Sequence, residues 1–415
     1  MRPTPAIALL PLLSLLACNG PEPEPMDVGA LCPEIGDPAL LQVLEATQEM
    51  DPGTPVSGIE YLFASAAGIE SLVGIECASD LEFVSVTDNA ITDLSPLVAL
   101  PRLTDLLIDG NPIDDLSPLT GHPTLFNLKL AGCQVDSATA LVDMPALANL
   151  DLTGNPISTL EGGFTGLDNL RSLRLEGTQI DDLSALEGLD LLGFMTAADT
   201  ALVDLSSLPT LASLEILSVN DAQLVDAAIP TTQPTLAWLD LSRNQITDLD
   251  GLAASNLPAL LGLTVDGNPL SSLEPVAAIP GLVNLSMSEV GISDLSALAD
   301  SSVVYLTARA NDIVDLSPVV GTGDLDLADN QIVDVTPLVG GVGARSLFLD
   351  NNEIGDLGPL LMVEFETCAR VGFEGNPDPK LETVAAQLCE KSVEVVGRCL
   401  PDACNPCPPG AEECG

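Results

Sequence analysis

The sequence predicts an α/β solenoid: a curved array of about fifteen repeats with a parallel β-sheet on its concave side, an N-terminal helical cap and a Cys-rich C-terminal cap. Three observations predict it. One pattern recurs along the chain, in full as Leu103-x-x-Leu106-x-Ile108-x-x-Asn111-x-Ile113-x-x-Leu116-x-x-Leu119. Its asparagine position returns at 67, 89, 111, 133, 155, 178, 200, 222, 244, 268, 290, 311, 330, 352 and 376, nine of the fourteen spacings being 22 residues and nine of the fifteen positions Asn. Such a period is what stacked supersecondary units produce. Second, 46% of the residues are apolar while only 3% are aromatic, which calls for a core of Leu, Val, Ile and Ala. Third, 61 acidic residues face 12 basic ones, a net charge of −49. That excludes any general affinity for nucleic acid or anionic lipid heads, and the apolar content separates the chain from acidic disordered tails.

Taken in order, residues 1–17 read as an export signal, with Arg2 as its positive region and Ala6 to Leu16 an apolar run too short to span a bilayer as a helix. The run ends in Leu15-Leu16-Ala17-Cys18, which resembles the bacterial lipobox. The resemblance implies that the mature chain starts at an acylated Cys18, and Asn19 after it favours the outer membrane of a Gram-negative envelope. The alternative is an ordinary secretory signal cleaved nearby. Residues 18–30 then form the lipidated Cys and a stiff Pro/Glu tether. Residues 31–56 are an N-terminal helical cap: Asp37-Pro38-Ala39-Leu40-Leu41 reads as an N-cap with Pro at the first helical position.

Residues 57–378 are the repeats. Leu106 and Ile108 alternate and so mark a short strand with both side chains on one face. Asn111 ends the strand, its amide able to bond the turn backbone and that of the next repeat. Ile113, Leu116 and Leu119 suit a tight 3₁₀-like return on the far side. One repeat cannot bury its apolar face alone, but stacked copies share a continuous core. "NPIDDLSPLTGHPTLFNLKL" and "NQITDLDGLAASNLPALLGLTV" resemble the leucine-rich-repeat family, in its 22-residue internalin-like form. "GTPVSGIEYLFASAAGIESLVGIE" resembles that family's passage from helical cap to first repeat. The resemblance implies a bond between Cys32 and Cys77 across the cap, a tolerated buried thiol at Cys133, and protein recognition by the concave face.

Residues 379–415 are the C-terminal cap and Cys-rich tail: Leu381 to Leu388 reads as a closing helix after a last strand at Val371-x-Phe373, and Cys389 and Cys399 bracket a strand-like VEVV. With Cys18 lipidated and Cys133 set aside, the remaining Cys32, Cys77, Cys368, Cys389, Cys399, Cys404, Cys407 and Cys414 cluster near the chain ends, and in an exported protein they read as disulfides. Eight cysteines allow about 105 pairings, so connectivity stays open. Zinc held by Cys399, Cys404, Cys407 and Cys414 is the weaker alternative, because their spacing is irregular.

Function is sought on strand residues that cannot face the core, six, four and two positions before the asparagine. They include Tyr61, Phe63, Phe83, Phe194, Trp238, Tyr305 and Phe348, seven of the eleven aromatic residues in the chain. Phe194, Ile216 and Trp238 occupy one column on three successive repeats and should form an apolar stripe, a feature that marks binding surfaces. Packing across the sheet is the competing explanation. The same face carries Asp105, Asp109, Asp151, Asp240, Asp266, Asp324, Asp326 and Asp350 against Lys129, Arg174, Arg309 and Arg370. A protein or peptide partner with a basic and apolar face suits it; a spacer role and carbohydrate binding are the alternatives, and oligomeric state is open.

Asp recurs four residues after the asparagine position, at 93, 115, 182, 204, 226, 248, 294, 315, 334 and 356. These carboxylates are spread one per repeat rather than converging in one loop, so they are expected to satisfy backbone N–H groups of the return rather than hold calcium. No Gly-rich phosphate loop follows a strand, and the single histidine, His122, sits in a Gly-His-Pro turn where a solvated residue is expected. No catalytic residues, metal or cofactor are therefore assigned.

Overall fold

The computed structural model describes residues 35–50, 56–320, 323–341 and 343–398. The segments expected from the sequence to be an export signal and a tether, and Cys18, Cys32, Cys399, Cys404, Cys407 and Cys414, lie outside these residues. Among the described residues, sixteen strands form one parallel sheet in chain order, from β1 (Tyr61–Phe63) through β2 (Phe83–Ser85) and β3 (Asp105–Leu107) to β16 (Glu394–Val395). Pairing is almost without register shifts, as in Asp105↔Asn127 and Leu106↔Leu128. Thirteen of the strands from β1 to β13 follow the repeat, each three residues long. Short 3₁₀ turns such as Ser95–Ala99, Ser117–Leu119 and Ser184–Leu186 occupy most returns, with Pro in the first turn of several. One return instead forms a single α-turn, α2 (Asp250–Ala253).

The repeat leucines meet in one core. Leu106, Ile108, Ile113, Leu116, Leu119 and Leu125 are all buried, and each such side chain contributes roughly 1.5–3 kcal/mol by leaving water. At the N-terminal end, α1 (Pro38–Met50) lays Leu40 and Leu44 on the first repeat. Asp37 fixes it there. One carboxylate oxygen accepts the N–H groups of Ala39 and Leu40 at 2.8 and 3.1 Å, and the other accepts those of Glu70 and Ser71 at 2.7 and 2.9 Å. Burial pushes this carboxyl up, but the four N–H groups outweigh burial and hold it below the usual carboxylate range. At the other end α3 (Leu381–Glu390) closes the core with Val384, Ala385 and Leu388. Asp378 plays the matching part, accepting the N–H of Leu357 and of Lys380, each at 2.7 Å.

The penultimate strand departs from the pattern. β15 (Phe365–Gly372) runs for eight residues beside β14 (Ala344–Phe348), and their register shifts between Ala344 and Ser346. Cys368 sits in this irregular stretch with a positive φ of 65°. Beyond it, β16 extends the sheet into the C-terminal cap.

The asparagine column forms a buried spine. Asn111 Nδ2 donates to the carbonyls of Val86 and Ile108 at 2.9 and 2.8 Å, while its Oδ1 accepts the N–H of Ile91 at 3.0 Å. All nine asparagines donate to a carbonyl of the preceding repeat and accept a backbone N–H from it. The amides therefore reach backward, not to the next repeat as the sequence suggested, because the strand end leads the side chain under the turn just completed. The residue before each position has a positive φ, between 51° at Asp199 and 74° at Gly375. That bend turns the chain from strand to return, and it explains the Gly and Asp residues enriched there. Thr178 and Thr200 only bond within their own repeat, to the carbonyls of Leu175 and Ala197.

Asn111→Ala removes the amide's bonds to the carbonyls of Val86, Ile108 and Asp109 and its bond from the N–H of Ile91. Its expected cost is about 2–4 kcal/mol. Thr200→Ala removes a single bond and should cost less than half as much. Urea unfolding of the two variants measures the difference; equal losses would show that the amide spine does not carry the stack.

Candidate recognition face

The strand geometry brings the outward column into register. Tyr61 pairs with Phe83, and Phe194 with Ile216 and then Trp238. On the described surface Tyr61 is 52% exposed, Phe63 69%, Trp238 47%, and Ile216 and Tyr305 each 38%. Phe83, Phe194 and Phe348 are half-buried. Three aromatic places result. At the N-terminal end the rings of Phe63 and Phe83 lie 5.1 Å apart and tilted by 39°, beside Tyr61. In the middle, β7 (Phe194–Thr196), β8 (Ile216–Ser218) and β9 (Trp238–Asp240) carry the stripe. Toward the C-terminal end Tyr305, on β12 (Tyr305–Thr307), and Phe348 stand on strands two apart and in different columns, so these two are not joined.

Two arginines lie against these rings. Arg174 is 5.3 Å from the centre of Phe194 and Arg370 is 5.9 Å from that of Phe348, within cation–π range. Each also reaches a carboxylate, Arg174 that of Glu176 at 3.9 Å and Arg370 that of Glu394 at 3.5 Å. Arg309 lies 3.6 Å from Asp326 and 3.5 Å from Asp329, and Arg243 pairs with Asp221. The carboxyls of Asp109 and Asp326 are pushed up by burial, and hydrogen bonds from Ala131 and Ala328 only partly oppose this.

The sequence missed several features of this face. The residues two before the asparagine fall past the three-residue strands, in the turn. The residue immediately before each strand is also exposed in places: Phe126 by 47%, Leu261 by 45% and Val304 by 40%. Strict alternation assigns these positions to the core side, yet at the leading end of so short a strand they turn onto the rim. Gly262, on β10 (Gly262–Thr264), is another. Trp238 sends its six-membered ring across this glycine, so that a Cβ on Gly262 would stand 2.1 Å from ring atom Cε3. Only a residue with no side chain leaves the indole there.

The ten aspartates after the spine do what was expected of them. Each accepts the backbone N–H two residues on, from Asp93–Ser95 at 2.8 Å to Asp356–Gly358 at 2.9 Å. The hydroxyls of Ser95, Ser206 and Thr336 at Asp93, Asp204 and Asp334, and the backbone N–H groups at Asp115, Asp294 and Asp315, each with the other kind of bond assisting, hold these carboxyls below the usual range. Among the described residues Cys133 is the one free thiol; it is buried, which pushes it up.

His122 corrects the sequence reading: it is 5% exposed, not a solvated turn residue. It stands eleven residues before the next spine position, where Leu100, Met144, Leu189 and Leu211 enter the core in other repeats. Its Nδ1 accepts the N–H of Leu125 at 3.3 Å. Burial depresses its titration below 6.5.

A spine of bonded asparagines, a continuous parallel sheet and one shared leucine core are now in place. The chain is a leucine-rich-repeat solenoid. The family's leucine-rich-repeat profile matches residues 124–180. Among solved structures, an internalin of Listeria monocytogenes, InlF, is similar at 25% identity with a TM-score of 0.57, covering 81% of this chain and 94% of that one. The functional domain of InlJ from the same organism, described as including a cysteine ladder, is similar at 20% identity and a TM-score of 0.56, over 81% of this chain and 78% of that one. A leucine-rich-repeat protein of Leptospira interrogans is similar at 19% identity and a TM-score of 0.61, over 84% and 97%. No curated protein matches the chain in sequence.

The folded chain holds His122 neutral, whereas the unfolded chain protonates it near pH 6.5. Stability is then lost as pH falls through 6.5 toward the lower folded value. Comparing the wild type with His122→Asn isolates this term from the many carboxylates. The difference in melting temperature between the two should narrow as pH falls from about 7 to about 5.5; a constant difference would show that the imidazole does not titrate differently in the folded state. The six aspartates with lowered values stabilise the fold above their unfolded value of 3.8, and that contribution is lost as pH falls below it.

Proposed function

We propose that this solenoid is a non-catalytic recognition protein of the bacterial envelope, which takes a protein or peptide partner on its concave face. The observation that carries the reading is the in-register column of the half-buried Phe194 and the exposed Ile216 and Trp238. An aromatic at the surface of a solvated sheet keeps apolar area in water that a partner would cover, and Trp and Tyr anchor such interfaces most often. The structural similarity to an internalin agrees with a binding role, though fold alone does not establish function.

Envelope attachment is part of the proposal. It rests on the Leu15-Leu16-Ala17-Cys18 motif, and among the described residues no helix is long and apolar enough to cross a membrane. A lipid on Cys18 would anchor the chain there, and growth with labelled palmitate, comparing the wild type with Cys18→Ser, tests it. We also assign Cys77, Cys368 and Cys389 to disulfides that staple the two ends, where a repeat stack has only one neighbour. That Cys133 is the sole free thiol among the described residues favours this.

The triple variant Phe194→Ser, Ile216→Ser, Trp238→Ser should lose at least about 2 kcal/mol of partner binding, the range of a hot-spot cluster, while its melting temperature stays close to that of the wild type. Cross-linking and pull-down from the envelope fraction reads the loss. Undiminished capture with an intact fold would favour the spacer role.

A further inference from the structure

The apolar surface does not stop at Trp238. Beyond the stripe, the indole covers Gly262, and the next exposed apolar groups lie one residue earlier on the following strands: Leu261, then the half-buried Val283, then Val304. Their backbones are linked in sequence, the Leu261 carbonyl accepting the N–H of Val283 and the Val283 carbonyl that of Val304, each at 2.9 Å. Tyr305 ends the run on β12. A band from Phe194 to Tyr305 thus crosses six successive strands, about 24 Å at ~4.8 Å per strand.

Carboxylates dominate the middle of this band, while its two ends carry Arg174, against Phe194 and 3.9 Å from Glu176, and Arg309, which reaches Asp326 and Asp329. Asp240 and Asp266 lie on the side toward the spine, and Glu215 on the other side next to Ile216. The nearby Arg243 is already engaged by Asp221. An occupant must therefore be apolar on one stripe and cationic beside it.

Spacing selects its form. The band presents an apolar group at nearly every strand, so the occupant needs one every ~4.8 Å. An α-helix lying across the strands returns a side chain to the same face every ~5.4 Å, a drift of only ~0.6 Å per strand. An extended peptide repeats at ~6.6 Å and falls out of step by more than a third of a strand each time. A polyproline helix repeats at ~9.3 Å and meets only alternate strands. We propose that the band from Phe194 to Tyr305 binds one amphipathic α-helix of a partner protein, about sixteen residues long, with lysines or arginines facing Asp240 and Asp266. This rests on the concave-face reading above and specifies its partner.

The test uses the complete mature chain and its single tryptophan, Trp238. Three Trp-free synthetic peptides of equal length and charge are titrated at about 150 mM NaCl, where nonspecific attraction is screened: an amphipathic Leu/Lys helix, its scrambled form and a Pro-rich form. Trp238 emission reports binding, and circular dichroism reports helix gained by the peptide. The helical peptide should bind at least about tenfold more tightly than either control. That preference should fall by a similar factor in Phe194→Ser and in Leu261→Ser, both at exposed or half-buried positions that leave the core intact. Asp240→Asn with Asp266→Asn should weaken binding and flatten its salt dependence. Equal affinity for the scrambled peptide, tighter binding of the Pro-rich one, or no binding at all overturns the proposal. If the triple variant of the previous section still abolishes partner capture while no helical peptide binds, the helix assignment alone fails. If capture also persists in that variant, the concave-face reading fails with it.

Discussion

Everything in this molecule depends on a buried carboxamide whose two ends are satisfied by the repeat before it. A strand that turns sharply into a return leaves backbone N–H and C=O groups pointing inward, where water cannot reach them. The asparagine side chain answers both kinds of group at once, with two donors and an acceptor at a fixed separation. Because its partners belong to the neighbouring repeat, the same bonds that satisfy one turn also set the spacing and direction of the stack. The leucine core supplies most of the burial energy, but an oily stripe alone would not fix register. Where the column holds Thr178, Thr200 or Ala222, the core continues without the full set of bonds. An array tolerates such lapses because each repeat is locked by two neighbours.

The ends are where that logic would fail, since the first and last repeats each lack a neighbour. Asp37 and Asp378 supply there what the asparagines supply inside. Each is a buried carboxylate that accepts N–H groups from a helical segment and from a repeat return. The caps are thereby joined to the array by polar bonds as well as by Leu40, Leu44 and Leu388.

Much of this was legible in the sequence. The period, the asparagine column, the Asp37-Pro38 helix start and the aspartates of the returns follow from local chemistry repeated many times, so each copy checks the others. The concave column was legible for the same reason: alternation with buried leucines places Phe194, Ile216 and Trp238 outside. What escaped depends on neighbours. The bed of Trp238 is Gly262, 24 positions later in the chain, and a glycine in a strand pattern carries no sign of what lies upon it. Leu261 and Val304 escaped because a three-residue strand turns its leading residue onto the rim, which a longer strand would not do. His122 could have been found: its column is apolar in most repeats, and another polar residue in that column, Gln233, is likewise buried with its polar atoms bonded. The Gly-His-Pro turn chemistry outweighed the column in a reading that should have given the column precedence.

Charge divides the two faces of the array. Every Lys and Arg between residues 57 and 378 lies within a strand or no more than three residues from one, while the returns hold acids only. On the returns the aspartates are occupied with backbone N–H groups and stand in solvent, where repulsion between repeats is screened. On the concave face like charges would stand on strands only ~4.8 Å apart, so opposite charges there relieve a larger repulsion. Arg174, Arg243, Arg309, Arg345 and Arg370 each meet a carboxylate. Being exposed, such pairs add at most about 1 kcal/mol apiece, and their main effect is on what the surface can attract. They engage these five arginines, while Asp240 and Asp266, held by the N–H groups of Ser242 and Ser288 and within electrostatic reach of Arg243, lie beside the apolar band. An acidic surface beside an oily stripe repels a polyanion, and on that balance the proposed cationic, apolar partner rests.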